Sequence, residues 1–251
     1  MNNLEIIENQ VEQEIKPYLE NIEKICDINS RKVLEAFQKC ELKEQHLNSS
    51  TGYGIDEPGR NKIEEIYSHI FKAEDSLVRT QLISGTHALA VTLSALLRPE
   101  DTMLSITGEP YDTLQTVIGI GKEESKSSLK AFNIKYEQID LKENEFDIKK
   151  IQEKLKEKNI KLIEIQRSRG YSTRKSLSIE QIENVIKKIR EIDKNVIIMV
   201  DNCYGEFVQD REPIEVGADI AVRFINEEPR CRYSYIRSLY SRKEKFNRIV
   251  C

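Results

Sequence analysis

The strongest constraint on the fold is an alternation of two hydrophobic periods between residues 76 and 200. Apolar runs of strand character occupy Ser76–Ile83, Thr102–Ile106, Ala131–Ile139, Lys161–Gln166 and Val196–Val200. Between them, Thr86–Leu97, Tyr111–Ile118, Asp147–Lys156 and Ser178–Ile192 carry the spacing of helices. Strand and helix alternating over more than a hundred residues predict an α/β fold: a mostly parallel sheet with helices on both faces, three layers in all. In such sheets ligands bind beyond the carboxyl ends of the strands. Upstream, Leu4, Ile7, Val11, Ile15 and Leu19 predict one helix, and Val33, Leu34, Phe37 and Leu42 a second, making residues 1–50 an N-terminal helical segment. Thr51–Arg60, with three Gly and a Pro, reads as a loop, and a helix resumes over Asn61–Phe71. Ser178 followed by Gln181 predicts a capping box for the last helix.

Composition narrows the class. The chain has 251 residues with a formal net charge of −4 and 33% charged residues, so nucleic acid is not an expected partner. No apolar run approaches the eighteen or more residues that a membrane helix needs, so no membrane association is expected. Five Cys without zinc or redox spacing suggest neither a disulfide framework nor a metal site, and a reducing cytoplasm is the expected compartment.

Three segments fall at predicted strand ends. Ser84-Gly85-Thr86-His87-Ala88 opens a helix with small residues, where free N–H groups and the helix dipole suit a phosphate. Equally, it is an ordinary helix cap. Val200-Asp201 follows the run Asn195–Met199, and a carboxylate there needs a cation or donors unless it caps a turn. Arg167 and Arg169 flank Ser168 after Ile163-Glu164-Ile165 and could clamp a carboxylate or phosphate of a substrate, or lie in a solvated loop. Together, a phosphate cradle, a downstream carboxylate and an Arg-bearing loop match the needs of pyridoxal 5'-phosphate: an anchor for the phosphate and an acid to keep the ring nitrogen protonated. Tyr111, in Gly108-Glu109-Pro110-Tyr111, is placed to cover the ring.

In order along the chain, TGYGIDEPGR, LVRTQLISGTHAL, TGEPYDTL, IQRSRGYSTRKSLSIEQI and VDNCYGEF resemble the methionine γ-lyase-like or aluminium-resistance family. That family has the fold type I architecture of the aspartate aminotransferase class and depends on pyridoxal phosphate. The resemblance spans about residues 25–222 and implies a carbon–sulfur lyase acting on sulfur amino acids, homo-oligomeric in intact relatives. It implies that Ser84, Gly85 and Thr86 hold the phosphate, that Tyr111 stacks on the ring and that Asp201 pairs with its nitrogen. Tyr53 and Arg60 are the matching candidates to reach a neighbouring subunit's phosphate. His87 either lines the site or packs beside it.

The resemblance stops after Val222. Residues 1–222 contain all ten Gly and nine Arg, whereas 223–251 contain six Arg, no Gly and a net charge of about +5. The family continues with a segment close to Gly-Ser-Leu-Ile-Lys-Asn-Pro-Gly-Gly-Gly, whose Lys is the covalent anchor of the cofactor. Arg223-Phe-Ile-Asn-Glu-Glu-Pro-Arg-Cys-Arg232 can be encoded so that a one-base shift reads Gly-Ser-Leu-Met-Lys-Asn-Pro-Gly-Val-Gly, eight of those ten residues. The expectation is a cofactor-binding large domain over 51–222, incomplete at its C-terminus, and an out-of-frame basic tail over 223–251. Without the catalytic Lys, the cofactor should bind weakly or not at all and the chain should be inactive. The tail should be disordered and the sheet edge beside it unpaired. Alternative readings are a non-catalytic protein binding a phosphate ligand, or an acidic partner through the tail, and a nucleotide-binding α/β domain.

Overall fold

A computed structural model describes residues 3–51, 57–122, 125–157, 159–224 and 237–241. Its helices are α1 (Asn3–Lys39), α2 (Pro58–Phe71), α3 (Gly85–Leu96), α4 (Asp112–Ile118), α5 (Ile148–Lys156) and α6 (Ile179–Ile192). Its strands are β1 (Asp75–Val78), β2 (Thr102–Ser105), β3 (Lys135–Gln138), β4 (Ile160–Gln166), β5 (Ile197–Asp201), β6 (Ile220–Phe224) and β7 (Arg237–Ser241). They form one seven-stranded sheet in the order β1-β7-β6-β5-β4-β2-β3. The neighbours from β3 through β6 pair in parallel, and β7 runs antiparallel to both β6 and β1. All strands except β7 therefore point the same way, and the expected mostly parallel α/β sheet is present.

The pleat sorts the core into two layers, because successive strand residues face opposite sides. Leu104, Ile163, Ile165, Ile198, Val200 and Ala221 face α2, α5, α6 and the C-terminal part of α1. Met103, Leu162, Ile197, Met199, Ile220 and Val222 face α3 and α4. The helices over the first face are held by local signals as well as burial. Ser178 caps α6 by accepting from Gln181 N while the Gln181 side chain returns to Ser178 N, which is the expected capping box.

Several boundaries differ from the expectations. The N-terminal segment forms one helix from Asn3 to Lys39 and continues through Pro17. Proline removes one bond, to the carbonyl of Gln13, but the surrounding turn is exposed and water can satisfy that group. The expected strand over Ala131–Ile139 begins only at Lys135, since Lys130–Phe132 is a 3-10 turn ended by Asn133 at φ 62°. β1 stops at Val78, and a turn occupies Thr80–Gln81.

The segment after Val222 departs most from its expectation. Arg223 and Phe224 extend β6, and Arg237–Ser241 enters the sheet as β7, so the edge of β6 is paired. Arg223 is buried on the face of α2. Its Nε lies 3.1 Å from Glu206 Oε1, and its guanidinium stands over the rings of Phe71, Tyr67 and Phe207 at 4.9, 5.4 and 6.0 Å. An Arg can be buried this way because its planar cation is weakly hydrated and stacks on aromatic faces. The rest of 223–251 lies outside the described residues.

Candidate functional site

The carboxyl ends of β2, β4 and β5 and the start of α3 converge on a cavity of about 670 Å³. Ser84, Gly85, Thr86, Tyr111, Arg169 and Asp201 all line it, together with Thr113, Ser168, Ser176, Cys203 and Tyr204. No lysine is among the described residues that line it.

The phosphate side is the N-terminus of α3. Ser84 is its N-cap and accepts from His87 N at 3.0 Å. The N–H groups of Gly85 and Thr86 fall in the first turn, where no carbonyl of the helix reaches them. Thr86 Oγ1 meets Thr113 Oγ1 at 2.5 Å, joining the starts of α3 and α4. His87 does not line the cavity: its Nδ1 accepts from Ile83 N at 3.2 Å and folds back on the turn before the helix.

Asp201 ends β5 and is 5% exposed. Its Oδ1 accepts from Cys203 N at 3.1 Å, and burial pushes its carboxyl above the ordinary carboxylate range. A buried acid in this state calls for a cation, and a protonated ring nitrogen would supply one. Tyr111 precedes α4, with its N–H held by Gln166 Oε1 at 2.8 Å. Its ring stacks on Tyr171 at 5.2 Å, and the two hydroxyls lie 2.9 Å apart. One face of Tyr111 is thus taken, and a second ring must use the other.

The paired arginines separate. Arg169 is exposed and borders both this cavity and an adjoining polar cleft of about 440 Å³. Arg167 is 3% exposed and turned into the protein. Its guanidinium donates to Asn202 Oδ1 at 2.9 Å, Gly205 O at 2.7 Å, Gln209 Oε1 at 3.0 Å and Leu177 O at 3.3 Å. The oxygens around Arg167 take its donors, and of the two arginines only Arg169 borders the cavity. Arg60 sits half-buried in the first turn of α2 and does not line the cavity. Tyr53 lies outside the described residues.

The residues overlooked in the sequence are Ser105, Glu164 and Gln166, which form the polar ends of β2 and β4 behind Tyr111. The one signal for Glu164 was a carboxylate inside the apolar run Ile163–Ile165. The group that this arrangement fits is pyridoxal phosphate: first-turn amides for an anion, an aromatic face, and a buried acid opposite.

The profile of the methionine gamma-lyase family matches residues 4–228. The chain belongs to that family. It is 42% identical over 221 residues to the uncharacterised protein YnbB of Bacillus subtilis (strain 168), covering 88% of this chain and 52% of YnbB. A crystal structure from Listeria innocua, of a candidate cystathionine β-lyase involved in aluminium resistance, superposes with a TM-score of 0.92 at 41% identity, covering 100% of this chain and 61% of that one. The pyridoxal-5'-phosphate-dependent protein YhfS of Escherichia coli superposes with a TM-score of 0.65 at 17% identity over 90% of this chain and 57% of its own, which shows the fold alone. The architecture is therefore that of the fold type I enzymes, and the chain spans between about half and three-fifths of the length of these relatives. No helix among the described residues is long and apolar enough to cross a membrane.

Proposed function

We propose that this chain carries the cofactor site of a pyridoxal-phosphate-dependent carbon–sulfur lyase acting on sulfur amino acids, and that it holds the cofactor without a covalent bond. The observation that carries this reading is the convergence of the α3 N-terminus, Tyr111 and Asp201 on one cavity whose described lining includes no lysine. When bound, pyridoxal phosphate supplies an electron sink that stabilises a carbanion next to the substrate's amino group. Ser84, Gly85 and Thr86 hold the phosphate through the hydroxyls and first-turn amides. Asp201 accepts the proton-bearing ring nitrogen, and its ionised form is favoured only when that cation is present. Tyr111 limits the ring's freedom and excludes water from one face. Arg169, exposed at the mouth, is positioned for the carboxylate of an amino acid.

The resemblance implies a lysine loop after Val222, and we read the segment Arg223–Arg232 that stands there as out of frame. A lyase needs that lysine as anchor and as proton carrier, so the chain is read as inactive in turnover, in a soluble cytoplasmic setting. Tyr53 and Arg60 are read as residues that would act across a homo-oligomer.

Titration with pyridoxal phosphate, followed by its visible absorbance, tests the reading. Binding should be reversible on dialysis. Asp201→Asn should weaken it by roughly 10- to 100-fold, the equivalent of a charge-assisted hydrogen bond of about 1.5–3 kcal/mol. A borohydride-fixed adduct on one stoichiometric lysine, with release of thiol from an amino-acid thioether, would overturn the inactive assignment. Absence of binding at millimolar cofactor would overturn the site itself.

A further inference from the structure

Glu164 is fully buried in β4, between Ile163 and Ile165, and faces the α3–α4 side of the sheet with Leu162. The only described hydrogen-bond partner of its carboxyl group is Ser105 at the end of β2, with Glu164 Oε2 2.8 Å from Ser105 Oγ, while Oε1 has no partner among the described residues. Ser105 Oγ also lies 2.7 Å from the carbonyl oxygen of Gly108. A serine hydroxyl has one proton, and a carbonyl oxygen has none. Both contacts can be full two-centre hydrogen bonds only if the hydroxyl donates to Gly108 O and the carboxyl group donates to the hydroxyl; otherwise one proton is shared between two acceptors. The opposite assignment places two bare oxygens at 2.7 Å and leaves a buried anion with one unpaired oxygen, two costly arrangements.

We propose that Glu164 is a positioning residue of this site: as a neutral carboxylic acid it donates to Ser105 Oγ and thereby locks the Thr107–Tyr111 turn that presents Tyr111 to the cavity. The proposal's link to a cofactor rests on the function given above; the location of the proton does not. Other bonds also define the turn, among them Gln115 Nε2 donating to Pro110 O at 2.7 Å. Gly108 adopts φ 83°, its N–H donates to Ile139 O at 3.0 Å, and its carbonyl takes the Ser105 hydroxyl. Gln166, two residues on from Glu164, accepts from Tyr111 N at 2.8 Å and donates its own N–H to Thr107 Oγ1 at 3.1 Å. Both ends of the turn thus hang from the end of β4.

The electrostatic surroundings favour the neutral acid. Burial pushes the Glu164 carboxyl up to about 8, against the opposing effect of the Ser105 hydrogen bond, with Asp201 on β5 adding to the rise and Arg174 opposing it. Tyr136 on β3, which also faces this group, is itself held neutral by burial. With Glu164 carrying its proton, Asp201 remains the carboxylate free to ionise against a ring cation, because two adjacent buried carboxylates resist ionising together.

The test needs no cofactor. The chain is prepared with carboxyl-¹³C glutamate and ring-¹³C tyrosine, and spectra are recorded from pH 5 to 9.5. One glutamate carboxyl signal should remain at the protonated position at pH 7, move with a midpoint near 8, and be missing from Glu164→Gln. The Tyr111 signal, identified by Tyr111→Phe, should shift with the same midpoint. In Glu164→Gln, whose amide can still donate to Ser105 Oγ, it should stay at its neutral-pH place throughout. A Glu164 signal already ionised at pH 6 overturns the proton assignment. A Tyr111 signal that ignores the Glu164 titration, or moves equally in Glu164→Gln, overturns the positioning role. Failure of the chain to bind pyridoxal phosphate would count against the function and leave both readouts intact.

Discussion

Arg167 and Arg169 stand two residues apart and have opposite environments, so the same substitution should act on different properties. Arg167→Met strands the Gly205 and Leu177 carbonyls and the Asn202 and Gln209 side chains that the guanidinium joins. Loss of so many buried hydrogen bonds should cost about 3 kcal/mol or more of stability. Arg169→Met should leave the melting temperature within about a degree and weaken the binding of amino-acid carboxylates. Calorimetry and ligand titration on both variants check this, and equal effects on stability would refute it. A second consequence at this scale concerns pH. Burial raises Glu164 to about 8 and Glu212 to about 7 from an ordinary value of 4.5. Between those values the folded chain holds protons that the unfolded chain has lost. Their stabilising contribution is complete below about 4.5 and is lost as pH rises through 7 and 8. The urea midpoint should therefore fall from pH 5 to pH 8.5, and Glu164→Gln should flatten the upper part of that fall.

Among the elements, the capping box of α6 and the small-residue start of α3 were legible because both are local: a side chain bonds a backbone group three residues away. The five strands read from periodicity were also found, with shortened ends at β1 and β3 where a turn and a left-handed Asn133 intervene. β6 and β7 escaped. β6 has only Ile220, Ala221 and Val222 before Arg223, too short a run to register, and its Arg is accommodated by the rings of α2 and Phe207. β7 has no apolar period, yet its Cα register sets Leu239 opposite both Val222 and Leu77. A proline there would interrupt a strand that has neighbours on both sides. Leu239→Pro should lower stability by about 3 kcal/mol or more, whereas a proline in a segment outside the sheet would have no such effect. Urea unfolding monitored by far-ultraviolet circular dichroism distinguishes the two.

For the molecule as a whole, the cavity lies where the sheet's carboxyl edge meets the amino end of a helix, so ligand binding should stabilise the entire fold and not one loop. At a concentration about 100 times its dissociation constant, pyridoxal phosphate should add about 2.7 kcal/mol to unfolding and raise the melting temperature by several degrees. Pyridoxal without phosphate should give a much smaller shift at equal concentration. Equal shifts would mean that the α3 N-terminus does not hold the phosphate.

Sequence alone determined the α/β class, the parallel core of the sheet and the residues at three strand ends. Each follows from a short-range rule: side-chain periods of 2 and 3.6, a cap, a carboxylate ending an apolar run. Ser84, Gly85, Thr86, Tyr111 and Asp201 could be named from those rules and from the family resemblance. Only tertiary structure brought them to one cavity, turned Arg167 inward while leaving Arg169 at the mouth, and set Glu164 against Ser105. Only tertiary structure placed Arg237–Ser241 between β1 and β6. These outcomes depend on which distant groups share a low-dielectric interior, where a donor's direction and a single proton are settled by neighbours tens of residues away, and no local pattern in the chain encodes them.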